Sequence, residues 1–151
     1  MKVVINRCHG GFSLSPLGLK RYAELKGKKC YFFDWNINPN DYKEITLEDA
    51  ESHLSWTAFT VPNPSEVLPK ERRGEDGTYK DYNKAYKEIS ISAYDMERNN
   101  PHLIQVIEEL GIKANSKCSE LAIVDIPDDV EYTIDDYDGI EVIHEKHRSW
   151  C

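Results

Sequence analysis

With 151 residues and a formal net charge of −8, the chain is long enough to bury one hydrophobic core and has the wrong sign for a general binder of the nucleic-acid backbone, which needs a basic face. Hydrophobic residues make up 40% and charged residues 30%, which excludes a disordered composition. No charged-then-apolar leader and no apolar run of bilayer-spanning length is visible, so the expected compartment is the cytoplasm, with no membrane partner.

Val3, Val4 and Ile5 form a short β-branched run that stops at Arg7-Cys8-His9 and then at Gly10-Gly11. This predicts a buried strand over residues 2 to 7 that delivers polar and reactive side chains to a turn, with Phe12 as its anchor. Leu14-Ser15-Pro16 supplies an apolar residue, an N-cap and a proline at the first helical position. Leu19, Tyr22 and Ala23 then share one face, so a helix is expected over about 16 to 26, stopped by Gly27. Cys30 to Trp35 reads as an aromatic strand, and Asn36 to Asn40 as turn chemistry.

Tyr42 to Thr46 and Ser55 to Val61 read as two more strands, with a brief helical turn between them from the capping box that Thr46 begins. The prolines at 62, 64 and 69 and the charged run that follows predict an exposed loop over 62 to 78. Tyr79, Tyr82 and Tyr86 suit a semi-buried helix face more than a stacking platform, and Glu88 to Tyr94 alternates as a strand. Asn100-Pro101 repeats the cap-then-proline start, and Leu103, Val106, Ile107 and Leu110 make an amphipathic helix that Gly111 ends, with Ile112 placed to pack after the stop. Leu121 to Val124 reads as a core strand. Tyr132 to Ile134 and Ile140 to Ile143 read as a hairpin, because Asp138-Gly139 supplies the positive dihedrals of a tight turn. The order implies an α+β fold: residues 1–151 as a single globular domain, with one mostly antiparallel sheet and two main helices packed on it.

The V-V-I-N-R-C-x-G-G-F opening (Val3 to Phe12), the P-H-L-I-Q-V-I-E-E-L-G helix, the I-V-D-I-P-D-D-V-E-Y strand and the Y-D-G-I-E segment before a final E-K-H-R-S-W resemble a family of short phage and prophage proteins of unassigned activity. The resemblance covers residues 1 to 33 and 100 to 150. That family often has an aromatic where His9 stands and often ends near the tryptophan, so His9 and Cys151 are departures from it. A phage setting implies the cytoplasm of a host cell as the place of action.

Four constellations could carry chemistry. The cysteines at 8, 30, 118 and 151 form no C-x-x-C pair, which favours reduced thiols over a redox motif or zinc ribbon. Were the C-terminal segment helical, His144, His147 and Cys151 would share a face, and Cys8 or His9 would complete a tetrahedral zinc site; were it a strand, His144 and His147 would point to opposite faces. Cys8 could instead be a thiolate nucleophile beside Arg7 and His9, with His144 or His147 as base. Arg7, the Gly10 and Gly11 amides and the helix start at Ser15-Pro16 could capture an anion or nucleotide, with Arg148 as a clamp and Trp150 as a stacking face.

The fourth constellation is acidic. From Asp125 to Glu145 there are nine carboxylates and no Lys or Arg, among them Asp128, Asp129, Asp135, Asp136, Asp138 and Glu141. Such a surface mimics a phosphate backbone and docks into a basic groove. The expected function is therefore a non-enzymatic phage accessory protein that binds and inhibits a host protein, a nucleic-acid-binding defence effector such as a CRISPR effector, without contacting nucleic acid itself. The alternative is a small-ligand or nucleotide-binding protein, a sponge or a hydrolase, with its site at the R-C-H-G-G turn and zinc as a candidate cofactor.

Overall fold

The structure, a computed structural model, describes residues 1–34, 41–52 and 55–146; Trp35, the turn expected at 36–40, and His147, Arg148, Trp150 and Cys151 lie outside the described residues. The elements in chain order are β1 (Lys2–Asn6), α1 (Pro16–Leu25), β2 (Tyr31–Asp34), β3 (Glu44–Ile45), α2 (Leu47–Ser52), β4 (Trp56–Phe59), α3 (Pro64–Val67) and α4 (Lys80–Ile89). There follow α5 (Pro101–Leu110), β5 (Leu121–Asp125), β6 (Tyr132–Tyr137) and β7 (Ile140–Glu145). The chain divides into two units, one of Met1–Gly18 with Ala93–Cys151 and one of Leu19–Ser92. No helix among the described residues is long and apolar enough to cross a membrane.

In the first unit the β-branched run forms β1, which pairs antiparallel with β5, Val4 opposite Ile123. Val3 and Val4 are fully buried, and α5 packs against both strands through Leu103, Val106 and Ile107. Asn100 caps α5 as its sequence predicts, its side-chain oxygen accepting the N–H of His102 at 2.8 Å. Gly111 ends the helix at φ +57°. The chain then tightens into a 3₁₀ turn, Gly111–Ala114, that buries Ala114 and leaves Ile112 exposed, so the apolar contact expected of Ile112 is not made.

The second unit holds a three-stranded antiparallel sheet with β2 between β3 and β4. Its core is aromatic: Phe33, Phe59, Leu68, Tyr82 and Ile89, with Tyr31, Tyr42 and Tyr86 packed around them. The tyrosine stripe continues at helical spacing to Ile89, so α4 absorbs the start of the strand expected at 88–94, and only Ser90 keeps a β-bridge, to Phe59. The segment read as loop carries the short α3, and it sends Pro64 and Leu68 inside.

The fold is α+β, as expected, but the described residues form three antiparallel sheets, β1-β5, β3-β2-β4 and β6-β7, where one was expected. The hydrogen bonds of β1 give the physical reason for its own two-stranded limit. In an antiparallel pair alternate amides point away from the partner, and in β1 these include Val4 and Asn6. The Val4 amide donates to the Arg98 carbonyl at 2.8 Å, and the Asn6 amide to Glu141 Oε2 at 2.8 Å. Arg98 in turn donates through Nη1 and Nη2 to the two oxygens of Glu141 at 2.6 and 2.7 Å, and through Nη1 to the Val4 carbonyl at 3.2 Å. A bidentate ion pair stands where a third strand would lie. Glu141 belongs to β7 and is 5% exposed.

Truncating one partner leaves the other buried and unpaired. Glu141→Ala should therefore cost about 3 kcal/mol of unfolding free energy, while Asp135→Ala should change it by less than about 0.5 kcal/mol, both read from urea denaturation.

Candidate interaction surface

The tight turn between β6 and β7 is built on Asp138 at φ +51° and Gly139 at φ +89°, the mirror-image turn that an Asp-Gly pair favours. It sits against the N-terminal loop within the same unit. A Cβ on Gly139 would lie 2.5 Å from the Gly10 nitrogen, and one on Gly10 would lie 2.2 Å from the Cys118 carbonyl oxygen. The Gly10 amide donates to the Asp138 carbonyl at 3.3 Å and the Gly11 amide to the Cys118 carbonyl at 3.2 Å. Gly10 and Gly139 allow backbones to touch, and the N–H groups of Gly10 and Gly11 are spent on carbonyls and are not free to hold an anion.

Asn6, completely buried, ties the three segments together. Its Nδ2 donates to the carbonyls of Cys8 at 2.9 Å and Gly139 at 2.7 Å, and its Oδ1 accepts the Glu120 amide at 2.8 Å. Both donors of one amide side chain and one lone pair of its oxygen thus go to the backbone of the N-terminal loop, the approach to β5 and the hairpin turn, and the Cys8 thiol donates to the same oxygen at 3.5 Å. The V-I-N-R-C-x-G-G-F and Y-D-G-I-E motifs therefore meet in space.

The candidate site residues take the following places. Arg7 is exposed, and its amide extends the β1-β5 ladder by donating to the Glu120 carbonyl at 2.8 Å. Cys8 is half-buried, with Sγ 3.4 Å from the Cys118 carbonyl oxygen. His9 is exposed, with Nδ1 3.4 Å from Asp138 Oδ2. His144 lies in strand β7, with Nε2 3.4 Å from Asp135 Oδ2, so the helical premise of a His144, His147 and Cys151 metal face does not hold at His144. His144 also stands four residues along the strand from Ile140, about 13 Å from the turn against which the N-terminal loop packs. Among the described residues no three His, Cys, Asp or Glu side chains gather as a metal site.

The acidic run divides by the pleat. Glu141 faces inward to Arg98 and leaves the surface that its sequence position suggested. Asp135, 73% exposed, projects from the opposite face, and Asp138, 80% exposed, stands in the turn; Asp136, exposed, lies on the face of Glu141 and accepts the Gly139 amide at 2.8 Å, while Asp128 and Asp129 are exposed in the loop after β5. Asp128 pairs with the Met1 ammonium at 2.5 Å. The register places Asp135 opposite Val142, Tyr137 opposite Ile140 and Thr133 opposite His144, all on one face. Tyr137 at 80% and Val142 at 49% exposure stand on that face among the acids, two apolar members that a count of carboxylates does not reveal.

The thiols differ in exposure. Burial pushes Cys30 up to about 12, the positive charge of Lys20 only partly opposing it, whereas Cys118 is exposed. No protein-family model, curated protein or solved structure matches the chain.

Two measurements check this geometry. Gly139→Ala should cost more than about 3 kcal/mol, because it adds a backbone clash to the strain of positive φ; Gly77→Ala, at φ +79° with open space around it, should cost only about 1 kcal/mol. In thiol labelling at pH 8, Cys118 should react rapidly and Cys30 only on unfolding. Because the Cys30 value is raised above its ordinary 9.0, its contribution to stability is fully present below about pH 9 and is lost as pH rises toward about 12.

Proposed function

We propose that this chain is a non-enzymatic phage accessory protein that presses its acidic hairpin onto a basic, nucleic-acid-binding surface of a host protein, a defence nuclease such as a CRISPR effector, and so blocks it in the host cytoplasm. The observation that carries this reading is the outer face of β6-β7, where Asp135, Tyr137 and Val142 stand exposed next to the turn residue Asp138, with the exposed Asp136 at the neighbouring edge of the hairpin. Carboxylates steer the approach to a cationic groove, and a tyrosine among them supplies the large contact area that binding interfaces favour. The turn below them is held by Asn6 and by the Gly10 contact, so little order has to be imposed on binding. The likeness of the chain's ends to phage proteins supports the setting.

The test is target-DNA cleavage by a panel of CRISPR effector nucleases in the presence of the protein. Inhibition of at least one nuclease is expected. The triple reversal Asp135→Lys, Asp136→Lys and Asp138→Lys should raise the inhibitory concentration at least about tenfold and flatten its dependence on salt. Tyr137→Ala should weaken inhibition without changing that salt dependence. Undiminished cleavage throughout the panel, or equal inhibition by the triple variant, would sink the reading.

A further inference from the structure

Cys8 and Cys118, separated by 110 residues, meet where the β1-β5 ladder ends. The Arg7 amide donates to the Glu120 carbonyl at 2.8 Å, and just beyond it the Cys8 sulfur lies 3.4 Å from the carbonyl oxygen of Cys118. The backbones touch as well. The Gly11 amide donates to that same carbonyl at 3.2 Å, and a Cβ on Gly10 would stand 3.4 Å from the Cys118 Cα. Every staggered rotamer of a cysteine keeps its sulfur within about 5 Å of its own carbonyl oxygen, so the two sulfurs are separated by no more than about 8 Å. The Cα–Cβ torsion of Cys118 is the main variable that sets this gap.

Both backbones are anchored. Asn6 Nδ2 donates to the Cys8 carbonyl at 2.9 Å. The Cys118 amide donates to Ser116 Oγ at 3.1 Å, in a turn that the Ser116 amide closes onto Ser119 Oγ at 2.9 Å. Thiols held side by side react with each other at a high effective concentration, because the fold has already lost the entropy of bringing them together. Exposure assigns their order: Cys118 is exposed and meets a reagent first, while Cys8 is half-buried next to it. Cys30 does not compete, since it belongs to the other unit and burial pushes its thiol up to about 12.

We propose that Cys118 and Cys8 form a thiol-oxidation site, at which a small-molecule disulfide converts the pair to an intramolecular Cys8–Cys118 disulfide. In the first step the Cys118 thiolate attacks one sulfur of the small disulfide, whose S–S bond breaks, and the released thiolate takes up the proton that Cys118 gave up. In the second step the Cys8 thiolate attacks the Cys118 sulfur of the mixed disulfide, and a second small thiol leaves with the proton from Cys8. Two protein thiols lose two electrons, one small disulfide gains them to become two thiols, and the protons balance. The bond ties the N-terminal loop to the turn at 116–119, whatever the acidic hairpin binds.

The 151-residue chain would be equilibrated with mixtures of oxidised and reduced glutathione, once under native conditions and once in urea, and quenched with acid. Pairings would be read by mass spectrometry of its peptides. A monomer with residues 8 and 118 linked is the expected native product, and excess reduced glutathione should reopen it. Cys8→Ser should stop at a glutathione adduct on Cys118, and Cys118→Ser should leave Cys8 reduced at the same glutathione ratio. Urea should lower the effective concentration of the pair at least about tenfold, and by linkage the oxidised chain should melt at least about 3 °C higher than the reduced one. A glutathione adduct that persists on Cys118 in the unmutated chain, a main product linking Cys118 to Cys30, Cys151 or a second copy, or an equal effective concentration with and without urea would overturn the site.

Discussion

The first unit depends on the pair between Arg98 and Glu141. Its two parallel hydrogen bonds of 2.6 and 2.7 Å join the loop before α5 to β7, and both partners also bond the backbone of β1. The Arg98 guanidinium lies 3.4 Å from the Phe12 ring centroid, so the planar cation is stacked on one side and forked into a carboxylate in its own plane. A lysine could supply the charge but neither the fork nor the stack. Four stretches distant in sequence, β1, the loop at Phe12, the approach to α5 and the hairpin, are thereby fixed around one side chain.

This constraint links the fold to the surface it displays. The hairpin does not share a backbone ladder with β1; it is positioned by two side chains, Glu141 along its length and Asn6 at its turn, and by the backbone contact of its turn with Gly10. On β7 the buried Glu141 is thus spent on structure, while the opposite face of the hairpin holds Asp135 in water with Tyr137 and Val142. Asp136 and Glu145 share the face of Glu141 but are exposed, so what makes Glu141 structural is its pairing with Arg98.

Much of the local structure was legible because its causes are local. Ser15, whose hydroxyl accepts the Gly18 amide at 3.0 Å, and Asn100 both announce helices through capping chemistry a few residues long. Asp138-Gly139 announces a hairpin in the same way. What could not be read depends on partners far along the chain. Glu141 looked like one more surface acid because its partner is 43 residues away and nothing near either residue marks the pairing. Gly10 and Gly11 looked like an anion loop because a glycine needed for backbone contact, as Gly10 is, and one needed for a free amide have the same sequence signature. The strand expected at 88–94 failed for another reason: Ile89 and Ile91 alternate, but Ile89 also completes the helical stripe begun by Tyr82, and burial within the aromatic core decided between the two periods.

The sealed side of β1 also bears on the solubility of the chain. Lys-Val-Val-Ile-Asn is the kind of short, β-branched, nearly uncharged segment that recruits strands from other molecules when its outward amides are free. Here a neighbouring molecule would have to displace a desolvated carboxylate and its arginine before it could pair with Val4 or Asn6. The ion pair therefore acts as a guard against edge-to-edge polymerisation, and the same strand that fills the core is kept from templating a fibre.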